Sequence, residues 1–510
     1  MGSIVSTALV VVGTAITGGA VWGTAGFWAT VATGSAMIAT GIALSPKPKI
    51  ASLGNQSYSS QATNRSLMVK QPITNREMVY GATKKSGSIL FMDTTNNNKT
   101  LHLIVQVASH EIQSFDTIYF NDEALTLSSF GNDSNGIARN KVTAPSKYGG
   151  TSNVLSGVDY KVRIKQHLGS DSQSADADLV SEVSKWTTDH RLRGIAYLYL
   201  TLDYDADAFP NGIPNVSAEI KGKKLFDFRD SSTAHSSNPA LAIFDYLTDT
   251  RIGLGISSSS IDTTSFTTMA NLCDEDVTLS GGGTEKRYTC NGIVFSDITP
   301  MQTIDDLLTS CAGILTYTNG KFSLRGGQYV SPTITLTDDD FISQIAIESK
   351  KSRKDLFNTV KGIFTSSETL YQPSDYPMVT SSTFSDADGE VIFADIDLPY
   401  TSSSATAQRI AKIALFKNRQ QIVLSARIKM TGFRLQVGDT VNVTNARLGF
   451  SSKVFEVAEW SFSNEGGELG IAIILNETAS AVYDWNAEET AFALDNTTLP
   501  TPEDVSPPAI

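Results

Sequence analysis

The first forty-six residues carry no Asp, Glu, Lys or Arg, and this uncharged segment constrains the fold more than any other feature of the sequence. Residues 4–44 are mainly Ala, Gly, Val, Ile and Thr, with Trp22, Phe27 and Trp28 near the middle, and Lys47 is the first charged residue. A secretory signal peptide has a basic region before its apolar core. Because that basic region is missing here, we expect no cleaved signal peptide.

The same segment is predicted to be helical over residues 1–48. Its apolar length would allow two membrane crossings at roughly 20 residues each, and the spacing of Gly19 and Gly23 allows two helices to approach closely. These features predict a helical hairpin. Two settings remain open: the helices pack around a three-fold axis inside a particle, or they lie in a lipid bilayer.

Composition indicates a large, β-rich assembly protein. A chain of 510 residues has room for about three or four domains of roughly 100–200 residues each. Only 18% of the residues are charged, and Ser and Thr often replace charge. The net charge of −13 argues against a surface that binds DNA phosphates, since that affinity rests on Lys and Arg. We therefore expect DNA to pass without specific binding, although the charge would also serve solubility alone.

Hydrophobic periodicity predicts a mainly β chain with some α structure (α+β), arranged as several β-barrel or β-sandwich-like domains with short helices. Apolar residues alternate with polar ones over 100–107, 195–201 and 440–444, which predicts half-buried strands. Asn238-Pro239 and Thr299-Pro300 are predicted helix starts, because each pairs a capping residue with a proline at the first helical position. Helical spacing also appears in the sets Leu179, Val183, Trp186; Phe266, Met269, Ala270, Cys273; and Ile410, Ile413, Ala414, Phe416.

These signals divide the chain into five predicted parts. They are the apolar segment 1–48; a first β domain 49–225 with an inserted helix-containing region near 131–192; an α+β domain 226–345; a closing β domain 346–478 with a long loop 366–388; and an extended, Pro-rich tail 479–510. The polar loop is interpreted as an insertion or a partner-binding loop.

Residues that commonly carry chemistry give no catalytic, cofactor-binding or metal site, so we predict a protein that is not an enzyme and holds no cofactor. The histidines lack metal-ligand spacing and are interpreted as hydrogen-bonded strand-edge or loop residues: His102, His110, His167, His190 and His235. The cysteines show no CxxC pair and are interpreted as buried small apolar residues, with a pairing of two left open: Cys273, Cys290 and Cys311.

Acidic and Gly-rich runs also fall short of known binding motifs. Asp203, Asp205 and Asp207 resemble the start of a calcium loop, but Ala208 and Pro214 stand where that loop needs Gly and Glu. We expect a solvated loop there.

Three further runs are interpreted in the same structural way. Asp386, Asp388 and Glu390 fail as a calcium loop because Val391 is at the sixth position. Residues 281–283 lack the Lys-Ser/Thr of a phosphate loop and are predicted to form a turn. Residues 305–306 lie early in a predicted helix, where negative charge complements the helix dipole.

Several short stretches, taken in order, resemble the core of the lambda-like tail tip attachment proteins, also called central tail hubs. The resemblance covers about residues 65–478, and its strongest block runs from Asn238 to Gly255. The other stretches are 70–74, 80–81, 101–103, 109–111, 121–123, 193–197, 209–214, 287–292, 319–322, 437–439 and 455–457.

The resemblance implies a homotrimer in which each chain contributes two tube-like β domains, so that three chains form a pseudo-six-fold ring. Implied partners are the distal tail protein and the tape measure protein, and the implied location is the distal end of the virion tail, after synthesis in the host cytoplasm. Long members of the family continue into fibre domains, whereas this sequence stops at Ile510. Host recognition is therefore expected from separate tail fibre or receptor-binding proteins.

The predicted function is structural: a hub that closes the tail tube, anchors tape measure and fibre proteins, and opens for DNA ejection. At that stage either residues 4–44, in contact with the host membrane, or the tape measure protein would open a way through the envelope. The alternative is a membrane-anchored β-domain adhesin with residues 4–44 held in lipid. A remote alternative is a cell-wall hydrolase.

Overall fold

The computed structural model describes residues 75–149, 160–465 and 467–493, together with residues 67, 68 and 70 and the strand β1 (Ala20–Trp22). The described residues form three large hydrophobic cores and one smaller one. We call the parts around the large cores the first, central and closing units. A mainly β fold with some helix is confirmed.

The first unit is built from two sheets packed face to face. Its strands are β2 (Glu77–Tyr80), β3 (Ala82–Ser86), β4 (Ser88–Thr95), β5 (Thr100–Ala108), β6 (Ile112–Phe120), β7 (Glu123–Ala124), β8 (Thr126–Asn132), β9 (Ala138–Ala144), β10 (Val162–His167), β11 (Ala196–Asp203), β12 (Val216–Asp227) and β13 (Ser232–His235). One sheet has the order β4-β5-β11-β10-β9-β8, and the other has β13-β12-β6-β7 with β3 also on β12. Apolar residues such as Val105, Ile118 and Leu198 fill the space between them.

Strands β5 and β11 are buried on both faces, so the prediction of half-buried strands over 100–107 and 195–201 was wrong. The short helix α1 (Ala177–Glu182) covers the second face, where Leu179 and Trp186 pack on Tyr197 and Tyr199. Trp186 lies beyond the end of α1, so the helical spacing predicted for it is not realised, although the side chain is buried.

The central unit joins helices to small sheets. Its helices are α2 (Pro239–Thr248), α3 (Thr263–Cys273) and α4 (Pro300–Thr309), followed by α5 (Ser382–Asp388) and α6 (Ser404–Arg419). Its strands are β14 (Asp276–Thr278), β15 (Thr284–Lys286), β16 (Gly292–Phe295), β17 (Gly313–Thr318) and β18 (Lys321–Gly326). Both predicted Pro-initiated helices are confirmed, and β16 pairs with β2 of the first unit.

The predicted domain boundary at 345/346 does not match the packing. Val360, Leu398 and Ile410 lie in the same core as α2 and α4. Residues 357–415 therefore belong to the central unit, because α6 buries its apolar side there. The closing unit begins earlier, with Leu336 in its core, and resumes after α6.

The closing unit is a six-stranded sheet of order β19-β27-β28-β29-β26-β20. These strands are β19 (Ile334–Leu336), β20 (Ala346–Glu348), β26 (Val423–Ile428), β27 (Thr440–Asn445), β28 (Phe450–Glu465) and β29 (Glu468–Glu477). Neighbours are antiparallel except β19 and β27. The alternation predicted over 440–444 is confirmed, since Val441 and Val443 are buried and their neighbours are half-buried.

The segment 366–388 is regular structure and not the long loop that was predicted. It continues from β21 (Thr359–Lys361) and β22 (Ile363–Ser366) into β23 (Gln372–Asp375), β24 (Val379–Thr380) and α5, and β25 (Phe393–Asp395) follows. Asp388 accepts a hydrogen bond from the side chain of Asn358 at 2.8 Å and pairs with Arg419 of α6. These buried contacts hold α5 against the central unit despite its polar sequence.

Of the predicted N-terminal helical segment, only β1 lies within the described residues, and there the helical prediction is wrong. Strand β1 pairs antiparallel with β17, which places Ala20 opposite Tyr317 and Trp22 opposite Leu315. In the part of the chain that the structure describes, no helix has the length and apolar character needed to cross a bilayer.

The predicted C-terminal tail is described only as far as residue 493. Its first residues form a short 3-10 turn, Ser480–Val482, and Val482 lies in the central core. Farther along, Thr490 exchanges hydrogen bonds with Gln408 of α6. This part of the tail therefore packs on α6.

Candidate functional site

A cluster of buried charge lies on the first unit, within the inserted region 131–192. The ammonium of Lys165 on β10 is within 2.6 Å of Asp133, 2.7 Å of Asp176 and 3.1 Å of Asp178. Asp176 caps α1 by accepting from the amide of Leu179. The three carboxylates are grouped closely enough to hold a metal ion, but the Lys165 ammonium already supplies the positive charge there.

Two arginines extend this network toward solvent. Arg163 makes a bidentate pair with Glu182 at 2.8 and 2.6 Å and donates to the hydroxyl of Thr201. Arg139 on β9 pairs with Asp178. Fork-shaped guanidinium pairs fix geometry as well as charge, so the network fastens α1 and its flanking turns to the sheet.

The electrostatics of the cluster follow from its burial. Burial opposes ionisation of Asp176, but the hydrogen bond from His167 and the charge of Lys165 outweigh it and lower the pKa of Asp176 to about 2. The His167 ring stacks on Tyr197 with 4.3 Å between centroids, and its Nε2 is 2.7 Å from Asp176. The arrangement holds charge in place on the first unit.

All five histidines lie in the first unit. His102 and His167 are on the interior strands β5 and β10, so the strand-edge interpretation was wrong for both. Nε2 of His110 accepts from the Val79 amide at 2.8 Å, and burial lowers the pKa of His110 to about 4. His190 accepts from the Thr187 amide, and His235 lies on the edge strand β13.

The calcium-like run 203–207 is divided between a strand end and a turn. Asp203 is buried and accepts from the hydroxyl of Thr100 at 2.7 Å, so the solvated loop expected there was wrong for this residue. Asp205 pairs with Lys161 at 2.7 Å and accepts from the amides of the turn that follows.

The other acidic and Gly-rich runs also have structural roles. Glu390 pairs with Arg353 at 2.8 Å beside α5, and residues 281–283 form the turn between β14 and β15. Asp305 and Asp306 lie in the middle of α4 and not in its first turn, so the predicted interaction with the helix dipole was wrong. Burial together with the charge of Asp306 raises the pKa of Asp305 to about 7. Burial raises the pKa of Asp306 to about 6, although the hydrogen bond from Gln302 opposes it.

The three cysteines are free thiols buried in the central core, as their interpretation as small apolar residues predicted. Burial raises the pKa of Cys273 and Cys290 well above the ordinary range. Because the reactive form of cysteine is the thiolate, these residues act as core packing.

A cavity of about 260 Å³ lies where the central and closing units meet. Met269 of α3, Leu324 of β18 and Tyr483 contribute apolar lining, and Glu456 and Thr440 contribute polar lining. Near it, Arg325 of β18 pairs with Asp439 and donates to Gln436 at 3.0 Å.

A cluster of exposed apolar side chains marks one end of the closing unit. Their exposed fractions are 42% for Met430, 53% for Phe433, 50% for Phe462 and 62% for Leu469. The ring of Phe433 lies 5.7 Å from Phe462 and 6.1 Å from the buried Trp460. We call these four exposed residues the aromatic patch, because exposed apolar clusters mark interaction surfaces.

Sequence reasoning missed both the Lys165 cluster and the aromatic patch. Strand β10 alternates Val162 and Ile164 with Arg163, Lys165 and His167, a pattern that normally predicts a solvated polar face. The sequence signal that could have indicated burial of Lys165 is the pair of acidic residues at 176 and 178, at the start of a predicted helix. The patch had no periodic signal, since it combines a 3-10 turn with a distant hairpin.

Sequence comparison relates the chain to tail proteins of phages. Residues 299–460 match a family described as a putative phage tail protein. Tip attachment protein J of Escherichia phage SECphi27 is 23% identical over 295 residues, which cover 50% of this chain and 23% of that protein. Baseplate hub protein pb3 of Escherichia phage T5 is 21% identical over 470 residues, which cover 80% of this chain and 48% of that protein.

The chain is similar to phage tail tip and hub proteins, and these matches support that family. The matches support a structural role in the phage tail, and the predicted location at the distal end of the virion tail is confirmed. The chain spans less than half the length of these two relatives.

The fold of the chain is also found in a solved virion. A chain from the virion of a native gene transfer agent particle superposes with a TM-score of 0.55, covering 91% of this chain and 93% of that chain. The two sequences are 14% identical, so the likeness concerns the fold.

Proposed function

We propose that the protein is the trimeric central hub of a long-tailed phage, closing the tail tube until DNA is ejected. The observation that carries this proposal is the fold match to a virion chain over nearly the whole of both chains. The alignment with a baseplate hub protein over 80% of this chain supports it.

The proposed partners follow from this position in the tail. They are two further copies of the chain, the distal tail protein, the tape measure protein, and tail fibre or receptor-binding proteins. DNA would pass the hub without specific binding, because a net charge of −13 does not favour phosphate contacts.

The uncharged residues 4–44 would act at ejection, when they contact the host membrane. The composition of this segment supports the proposal, because a segment without charged side chains avoids the free-energy cost of placing charge in hydrocarbon.

Native mass spectrometry of the purified full chain and of isolated tails tests the assembly. A trimer is expected in both. A chain that remained monomeric at high concentration and gave no trimer from tails would contradict the proposal. Imaging of tail tips that carry a label on this chain should place three copies around the tail axis.

The apolar segment alone also favours a membrane-anchored adhesin, which deletion of residues 4–44 distinguishes. An adhesin would leave the membrane fraction after the deletion. A hub would still assemble its β units but would lose tube closure or infectivity. Release of fragments from purified peptidoglycan would instead favour the cell-wall hydrolase.

A further inference from the structure

The aromatic patch is continuous with a narrow cleft that leads to the central unit. Thr318 and Asn319, at the turn between β17 and β18, line this cleft from one side. Phe433 and Trp460 line it from the other side. The turn of the β17–β18 hairpin therefore lies beside the patch.

The patch is a single surface although its residues are distant in sequence. Met430 and Phe433 are three residues apart in a 3-10 turn, where such side chains lie one above the other. Phe462 is opposite Ile471 on the β28–β29 hairpin, so Leu469 lies diagonally from it on the same face. The buried indole of Trp460 donates to the Gly432 carbonyl at 3.1 Å and supports the turn from below.

Strand β1 brings the N-terminal segment to this place. The antiparallel register puts Ala20 opposite Tyr317. Tyr317 directly precedes Thr318 of the cleft, so β1 begins beside the β17–β18 turn. Residues 4–19 contain no charged side chain and include Leu9 and six further Val or Ile residues.

We propose that the aromatic patch is the docking surface for residues 4–19 of the same chain. The chemistry of the two surfaces matches, because an uncharged apolar segment loses no charge hydration when it covers exposed Phe, Leu and Met side chains. Sixteen residues in extended conformation reach about 50 Å, enough to cross one face of a small β unit. This inference goes beyond the proposed function, because it assigns the apolar segment a protein surface in the free chain.

A photo-crosslinking amino acid at position 433 in the full chain tests the contact directly. The expected product has the mass of one chain, with residue 433 joined to a peptide from residues 4–19. Products that never include residues 4–19, or that join them only to a second chain, would overturn same-chain docking.

Hydrogen exchange of the full chain gives an independent test. In the double variant Phe433→Ser/Phe462→Ser, the amides of residues 4–19 should exchange about tenfold faster than in the wild type. The reason is that residues 4–19 would lose their apolar contacts with the exposed half of each Phe ring. The matched control Val391→Ser/Phe393→Ser replaces side chains that are also about half exposed, on the central unit. The control should leave these amides unchanged.

The single variant Leu469→Ser provides a second test that does not depend on the folding of the double variant. Leu469 is chosen because it is the most exposed member of the patch. This variant should also accelerate hydrogen exchange of the amides of residues 4–19. Equal exchange in the wild type, both patch variants and the control would overturn the proposal. Trimer formation is measured separately, so the two proposals can fail independently.

Discussion

At the residue scale, the first unit depends on a lysine that serves as an internal cation. The side chain of Lys165 is fully buried, and three aspartates surround its ammonium group. A buried ion pair with both partners present adds little net stability to the fold. Removal of one partner is destabilising, because it leaves a buried charge without compensation. The cluster therefore makes the attachment of α1 specific and vulnerable to a single substitution.

Lys165→Met should lower the free energy of unfolding of the first unit by about 3–5 kcal/mol, because three buried carboxylates lose their shared countercharge. Urea unfolding followed by the fluorescence of the nearby Trp186 measures this change. Lys185→Met is the matched control, since Lys185 is 71% exposed and pairs with Asp93 at the surface. The control should change stability by less than about 0.5 kcal/mol. Equal urea midpoints for the two variants would contradict the assigned role of Lys165.

At the scale of elements, the two Pro-initiated helices of the central unit differ in how they begin. Asn238 accepts from the Ala240 amide at 3.0 Å, and its side-chain amide donates to the Ala270 carbonyl of α3 at 2.9 Å. Thr299, at the start of α4, makes no side-chain capping hydrogen bond within the described structure. The sequence signal is the same at both sites, but only the first cap also joins two helices.

Asn238→Ala should cost roughly 2–3 kcal/mol, because it removes a helix cap worth about 1 kcal/mol and leaves the buried Ala270 carbonyl without its donor. Thr299→Ala, made in the same background, should change stability by only a few tenths of a kcal/mol. Thermal unfolding followed by circular dichroism compares the two. A Thr299→Ala loss as large as that of Asn238→Ala would contradict this difference.

At the scale of the whole molecule, the closing and central units meet around a cavity, and polar contacts cross between them there. Arg325 meets Asp439 and Gln436, and Lys417 of α6 meets Glu456 at 3.0 Å. Interfaces of this kind permit relative motion more readily than a continuous apolar core. A hub that closes and then opens a tube would need a joint of this type.

Arg325→Ala should loosen this joint by about 1 kcal/mol and increase hydrogen exchange across residues 436–443 of the closing unit. The cores of the first and central units should keep their protection. Arg353→Ala is the control, because Arg353 pairs with Glu390 at an exposed position within the central unit. Unchanged exchange at 436–443 in Arg325→Ala would show that the apolar contacts alone hold the joint.

Local signals predicted several elements of the fold correctly. The Asn238-Pro239 and Thr299-Pro300 starts, the helical spacing of α3 and α6, and the alternation of β27 depend on neighbours a few residues away, so the sequence alone determined them. The ordered stretches that resemble tail hub proteins also came from sequence, and the comparisons confirm that family.

Only the tertiary structure decided which faces became buried and which distant residues met. Helix α1 covers the polar face of β10 and turns Lys165 into a core residue, and contacts with Asn358 and Arg419 order the polar segment 366–388. The aromatic patch unites a turn at residue 433 with a hairpin near residue 462. The physical reason is that burial and charge pairing depend on contacts between segments far apart in the chain, which no local periodicity contains.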